Sequence, residues 1–84
     1  LNQISLDINK VNELSVDIGS LRLYFSYNTV IAFRGKNGLV IRENSWGNTT
    51  GKHLNHINED KTRRISGELF EQKLNEMLKE YNLT

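Results

Sequence analysis

Two apolar runs joined by a short glycine-bounded turn constrain this chain most. Thr29-Val30-Ile31-Ala32-Phe33-Arg34 is followed by Gly35-Lys36-Asn37-Gly38 and then by Leu39-Val40-Ile41-Arg42-Glu43. β-branched and aromatic residues suit a pleated, buried surface, and Asn-Gly readily supplies the positive φ that tight hairpin turns require. The pattern predicts a hairpin with strands over 29–34 and 38–43. Strict alternation puts Val30, Ala32 and Arg34 on one face and Thr29, Ile31 and Phe33 on the other. Both faces carry apolar groups, so the hairpin is expected at the centre of a sheet, with helix over one face and partial cover on the other.

The residues before it read as a meander. Ile4, Leu6 and Ile8 alternate with Ser5 and Asp7, Leu14, Val16 and Ile18 repeat the pattern, and Leu21, Leu23 and Phe25 do so a third time. Strands are predicted over 3–8, 13–18 and 21–26. The fold class that follows is α+β: an antiparallel meander sheet of four or five strands, then a short helix and a longer carboxy-terminal amphipathic helix, all in one domain over 1–84.

The short helix is predicted over 51–58, with Thr49 or Thr50 as its cap. In this reading Trp46, Thr49, Thr50 and His53 lock the preceding loop onto the helix, Trp46 as a buried plug. Ser66 opens the longer helix, predicted over 67–81. Leu69, Phe70, Lys73, Leu74, Met77, Leu78 and Tyr81 recur at helical spacing, and only Lys73 breaks the apolar series. The expected core is Ile4, Leu6, Leu14, Val16, Leu23, Phe25, Ile31, Phe33, Ile41, Leu54, Leu69, Leu74, Met77 and Leu78.

Charge is unevenly spread. The chain carries +1 overall, but Arg34, Lys36, Arg42 and Lys52 against Glu43 leave residues 28–57 at +3. A basic middle between nearly neutral ends points to a binding face. Its candidate residues are Arg34, Lys36, Arg42, Trp46, Lys52, His53, Arg63 and Arg64. Cysteine is absent, which excludes disulfides and thiolate metal sites. No apolar segment is long enough to span a membrane, the first residues lack a signal-peptide pattern, and a host-cell cytoplasm is the expected setting.

Chemistry has little to work with. A metal would need a third ligand beside His53 and His56, and Glu59 drifts around the helix from them. A nucleophile–base pair from Thr49 or Thr50 with His53 would need Glu59 or Asp60 to orient the imidazole. No metal site and no cofactor is expected, and the chain reads as a non-enzyme.

The run from Tyr27 to Ile57 resembles small, functionally uncharacterised proteins of bacterial and archaeal viruses and mobile elements. There a tyrosine-threonine-valine-alanine strand precedes an aromatic, a threonine pair and a lysine- or arginine-histidine helix. Tyr27, Thr29, Val30 and Ala32, then Trp46, Thr49, Thr50, Lys52 and His53, match that order. The resemblance implies a viral or mobile-element origin and no mechanism. Three readings follow: a protein-interaction module acting on a host or viral complex, a nucleic-acid-binding accessory protein using a basic, aromatic-containing face, and a small hydrolase. The first is favoured, so a protein partner is expected ahead of DNA or RNA. Exposed strand edges and the second apolar face of the hairpin point to a homodimer.

Overall fold

The computed structural model describes residues 13–83. The predicted strand over 3–8, with Ile4 and Leu6, lies outside them. Within them, β1 (Glu13–Ile18), β2 (Leu21–Ser26), β3 (Thr29–Gly35) and β4 (Gly38–Arg42) form the expected antiparallel meander. Helix α1 (Asn48–Ile57) then leads through a 3-10 turn (Lys61–Arg63) into β5 (Arg64–Ile65), and α2 (Gly67–Glu80) follows. The fold is α+β, as the sequence pattern implies.

The short β5 departs from an all-antiparallel sheet. It lies parallel to β4, with Ile41 opposite Arg64 and Arg42 opposite Ile65. The Glu43 amide extends the pairing by donating to the Ile65 carbonyl at 2.8 Å. A parallel pair needs a crossover between its strands, and α1 is that crossover. A two-residue strand is too short to show periodicity. Its effect is to cover the end of β4, where a free sheet edge was expected.

The alternation assigned to β3 is corrected by a bulge. Tyr24 opposes Ala32 while Phe25 opposes Val30, so Ile31 is an extra residue on β3. Val30 and Phe33 therefore share one face, and Ile31 and Ala32 share the other. On the first face Phe33 joins Leu21, Leu23, Phe70, Leu74 and Met77 under α2. On the second, Ile31, Ala32 and Ile41 pack with Leu54 of α1. The two helices thus sit on opposite faces of one sheet. The second apolar face, which a homodimer was expected to bury, is covered by α1 of the same chain.

Several core assignments shift accordingly. Leu14 and Val16 are only half-buried, because β1 is the outermost strand among the described residues. Leu21, Ala32 and Phe70 are buried core residues that the expected set lacked. Leu69 is 41% exposed while its neighbour Phe70 is 0% exposed. The stripe facing the sheet is Phe70, Leu74 and Met77, continued by the half-buried Leu78 and Tyr81. Lys73, one turn on from Leu69, marked the solvent side. The Ser66 hydroxyl caps this helix by accepting from the Leu69 amide at 3.2 Å, and Glu68 in the first turn and Lys79 in the last agree with the helix dipole.

The turns are short. Between β3 and β4 the positive φ falls on Gly38 (φ 98) and not on Asn37. Between β2 and β3 the two-residue turn Tyr27-Asn28 puts Tyr27 in the left-handed region at φ 54, an uncommon conformation for a bulky residue. Phe70→Ala should lower stability by about 3–5 kcal/mol, the usual loss for a fully buried phenylalanine. Leu69→Ala should change it by under about 0.5 kcal/mol. Urea unfolding of the two variants checks the helix phase.

Candidate functional site

The expected binding residues divide between the two ends of the sheet. Arg34 and Lys36 belong to the β3–β4 hairpin tip. Arg34 is exposed on the second face, beside Arg22 of β2. Lys36 is held by Glu80 of α2 at 3.0 Å, and that hydrogen bond raises the lysine's pKa. Arg22 is likewise bound by Asp17 at 2.6 Å, which holds the Asp17 carboxyl below its ordinary range. Both pairs are solvent-exposed and contribute little to stability.

Arg42, Trp46, Lys52, His53, Arg63 and Arg64 belong to the other end. They come from the last residue of β4, the loop after it, α1, the 3-10 turn and β5. Arg42 is 8% exposed and does not present its charge to solvent. Its guanidinium lies 4.6 Å from the Trp46 ring centroid and 5.7 Å from that of Phe70, with Glu71 at 3.5 Å. Stacking on aromatic faces and pairing with a carboxylate make a buried arginine tolerable. Gly67 is part of this arrangement, since a Cβ there would collide with the Arg42 guanidinium.

Trp46 is not the expected plug. It is 50% exposed, with Arg42 against one face of the indole. Asn44 fixes its loop: the Asn44 side-chain carbonyl accepts from the Trp46 amide at 2.9 Å, and its amide donates to the Gly47 carbonyl at 3.0 Å. Helix α1 begins three residues earlier than expected. Gly47 is the N-cap, with extended backbone and no side-chain hydrogen bond. Thr49 is exposed, and neither threonine caps the helix. Gly51, inside the helix, leaves room for the Asn44 amide, which an added Cβ would meet at 3.2 Å.

Thr50 and His53 do lock α1, but to the sheet and not to the Trp46 loop. Ser26, the last residue of β2, places its hydroxyl 2.7 Å from His53 Nδ1 and 3.0 Å from the Thr50 hydroxyl. All three residues are buried. Ser26 points to the second face because its strand alternates with Tyr24, and Thr50 and His53 share the inner side of α1 with Leu54. The Ser26 and Thr50 hydroxyls and His53 Nδ1 are thus hydrogen-bonded, as burial requires. The Tyr27 ring tilts over His53 with centroids 6.1 Å apart. Pairing β2 with α1 through Ser26 was not legible, since nothing in a strand-end serine announces a partner on a later helix. His56 faces outward to Glu13 at 3.0 Å, away from His53. Among the described residues no three His, Cys, Asp or Glu side chains converge as a metal site would require.

Two concavities flank the first turns of α1. One, of 150 Å³, is lined by Ser26, Tyr27, Thr29, Ile31, Trp46 and Thr50. The other, of 490 Å³, is lined by Asn44, Asn48, Gly51, Lys52, Asn55, Lys61 and Arg64. The second gathers three cations, and no carboxylate lines it. Arg64 Nη2 donates to Asn55 Oδ1 at 2.8 Å, while Arg64 Nε is buried without a hydrogen-bond partner. Asp60, next to Lys61 in the chain, turns its carboxylate onto the Thr62 hydroxyl and amide, which lower its pKa. Asn48, Gly51, Lys52 and Asn55 fall on one side of α1 by helical spacing. The expected start at residue 51 leaves Asn48 outside the helix, so the sequence pattern does not show this face.

The chain belongs to a family of unknown function, DUF8033, whose profile matches residues 2–72. No curated protein and no solved structure matches it. Among the described residues no helix is long and apolar enough to cross a membrane.

Ser26→Ala should leave the Thr50 hydroxyl and His53 Nδ1 short of a buried partner and lower stability by about 1–3 kcal/mol. Thermal or urea denaturation reads it directly, and Thr49→Ala, at an exposed position, serves as the near-neutral reference.

Proposed function

We propose that this protein is a nucleic-acid-binding accessory module that grips a phosphate backbone in the basic depression beside α1. One observation carries the reading: Lys52, Lys61 and Arg64 converge with three asparagine amides on a concave surface that no carboxylate lines. Its three cationic side chains supply the depression with charge-assisted donors. Phosphate oxygens are acceptors carrying negative charge, and lysine, arginine and asparagine are the side chains that hold them. This support moves the reading from the protein partner that the sequence favoured to nucleic acid. It uses Lys52 and Arg64 of the candidate set together with Lys61, Asn44, Asn48 and Asn55, and leaves Arg34 and Lys36 outside.

The Ser26–His53–Thr50 cluster has a sufficient account as a tether. The serine hydroxyl is buried and engaged on both sides, so the hydrolase reading draws no support from it. The proposed setting is the cytoplasm of a host cell carrying a virus or mobile element, and the resemblance over 27–57 is its support.

A salt series tests the proposal. About three neutralised phosphates predict that log K falls against log salt with a slope of roughly −2 to −3. Lys52→Ala and Lys61→Ala should each weaken binding and reduce that slope by about one, with little change in stability. Absence of binding to DNA and RNA at low salt would contradict the proposal and return the protein partner, with exposed Trp46 and Leu69 as its contact residues.

A further inference from the structure

We infer that the smaller concavity is a base-stacking slot, so that the ligand is single-stranded nucleic acid with one base inserted between Tyr27 and Trp46. The inference rests on the reading above and adds which form of nucleic acid is bound and how. Tyr27 and Trp46 are 49% and 50% exposed, and both line the same 150 Å³ slot. A cavity of about 150 Å³ is the size that holds one six-membered aromatic ring. Two exposed aromatics on one slot are the arrangement used to stack unpaired bases, whose π-faces are available only when the strand is single.

Both walls are held in place before any ligand arrives. Arg42 lies against one face of the Trp46 ring, and the Asn44 side chain fixes the loop. Tyr27 is held at φ 54 by the two-residue turn, with its ring against His53. A bulky residue in the left-handed region is strained, and such strain persists where the surroundings impose it. Ser26, Thr29, Ile31 and Thr50 complete its lining. Ser26 and Thr50 are themselves fixed by their bond to each other and by His53.

Charge complementarity selects the occupant. The slot and the basic depression flank the same end of α1, Thr50 lining one and Asn48, Gly51 and Lys52 the other. A helix is about 10–12 Å across with its side chains. A strand crossing the start of α1 therefore puts a base in the slot and its neighbouring phosphates over Lys52, Lys61 and Arg64. A duplex keeps its bases stacked inside and cannot fill the slot.

Trp46 is the chain's single tryptophan, so its fluorescence reports on the slot alone. Titration would use single-stranded DNA and RNA, a duplex of the same sequence, and an abasic strand of equal length. The single strands should quench Trp46 and bind about tenfold or more tightly than the abasic strand, in keeping with the usual worth of one stacked base. Tyr27→Gly removes one wall at a position where glycine relieves the backbone, and should bring single-strand affinity down to that of the abasic strand. Trp46→Ala, followed by anisotropy of a labelled strand, should do the same, and its melting curve shows whether the Arg42 stack survives. Equal binding of single, duplex and abasic strands, lost in Lys52→Ala but unaffected by Tyr27→Gly, would overturn the slot and leave the phosphate site standing. No binding of any strand would remove both.

Discussion

The extra residue in β3 is the constraint on which the rest of the molecule depends. A small chain buries a modest share of its surface, and this one does so by covering both faces of a single sheet. Ile31 makes that possible. The bulge keeps Val30 and Phe33 together under α2 and turns Ile31 and Ala32 together toward α1. With a regular strand, both of these pairs would be split across the sheet and α1 would lose half of its apolar seat. Helix α1 is short and needs that seat, because isolated helices of its length do not persist in water.

The end of the sheet near Ser26 joins the two layers. Ser26 binds α1 from the second face, while Arg42 at the end of β4, two strands away, reaches α2 from the first through Glu71 and the Phe70 ring. Trp46 closes over Arg42 from the loop that connects β4 to α1. The concave surfaces are consequences of this joint. The slot opens where the bulged strand, the Tyr27 turn and the Trp46 loop meet, and the basic depression opens between α1 and the segment carrying Lys61 and Arg64. Scaffold and candidate site are therefore built from neighbouring residues of the same segments, Arg42 and Thr50 serving the first and Lys52 and Lys61 the second.

Much of the fold was legible. The strands over 13–18, 21–26 and 29–34 and the long helix follow from period-two and period-3.6 patterns that single residues cannot disguise. What escaped were features set by tertiary contact. The bulge leaves no mark in Val30-Ile31-Ala32-Phe33, all of which suit either face. The early start of α1 rests on an extended Gly47 and a side-chain-free cap, which the preference for threonine caps does not reveal. The site was legible in part: Trp46, Lys52 and Arg64 stood out by type, but Lys61 sat in a mixed-charge stretch and the asparagines read as loop formers. Arg42 stands among the expected binding residues and His53 both there and in the expected loop lock; burial takes Arg42 to the α2 contact and His53 to Ser26 of the sheet.

The most direct measurement is a map of backbone amide chemical shifts during titration with a short single-stranded oligonucleotide. The account predicts that changes gather in the Tyr27 turn, the loop and first turns of α1 over 44–55, and the segment 61–64, while the hairpin tip over 34–38 and the carboxy-terminal turns of α2 stay unmoved. Changes centred on the Arg34 and Lys36 tip, or spread evenly over the surface, would contradict it.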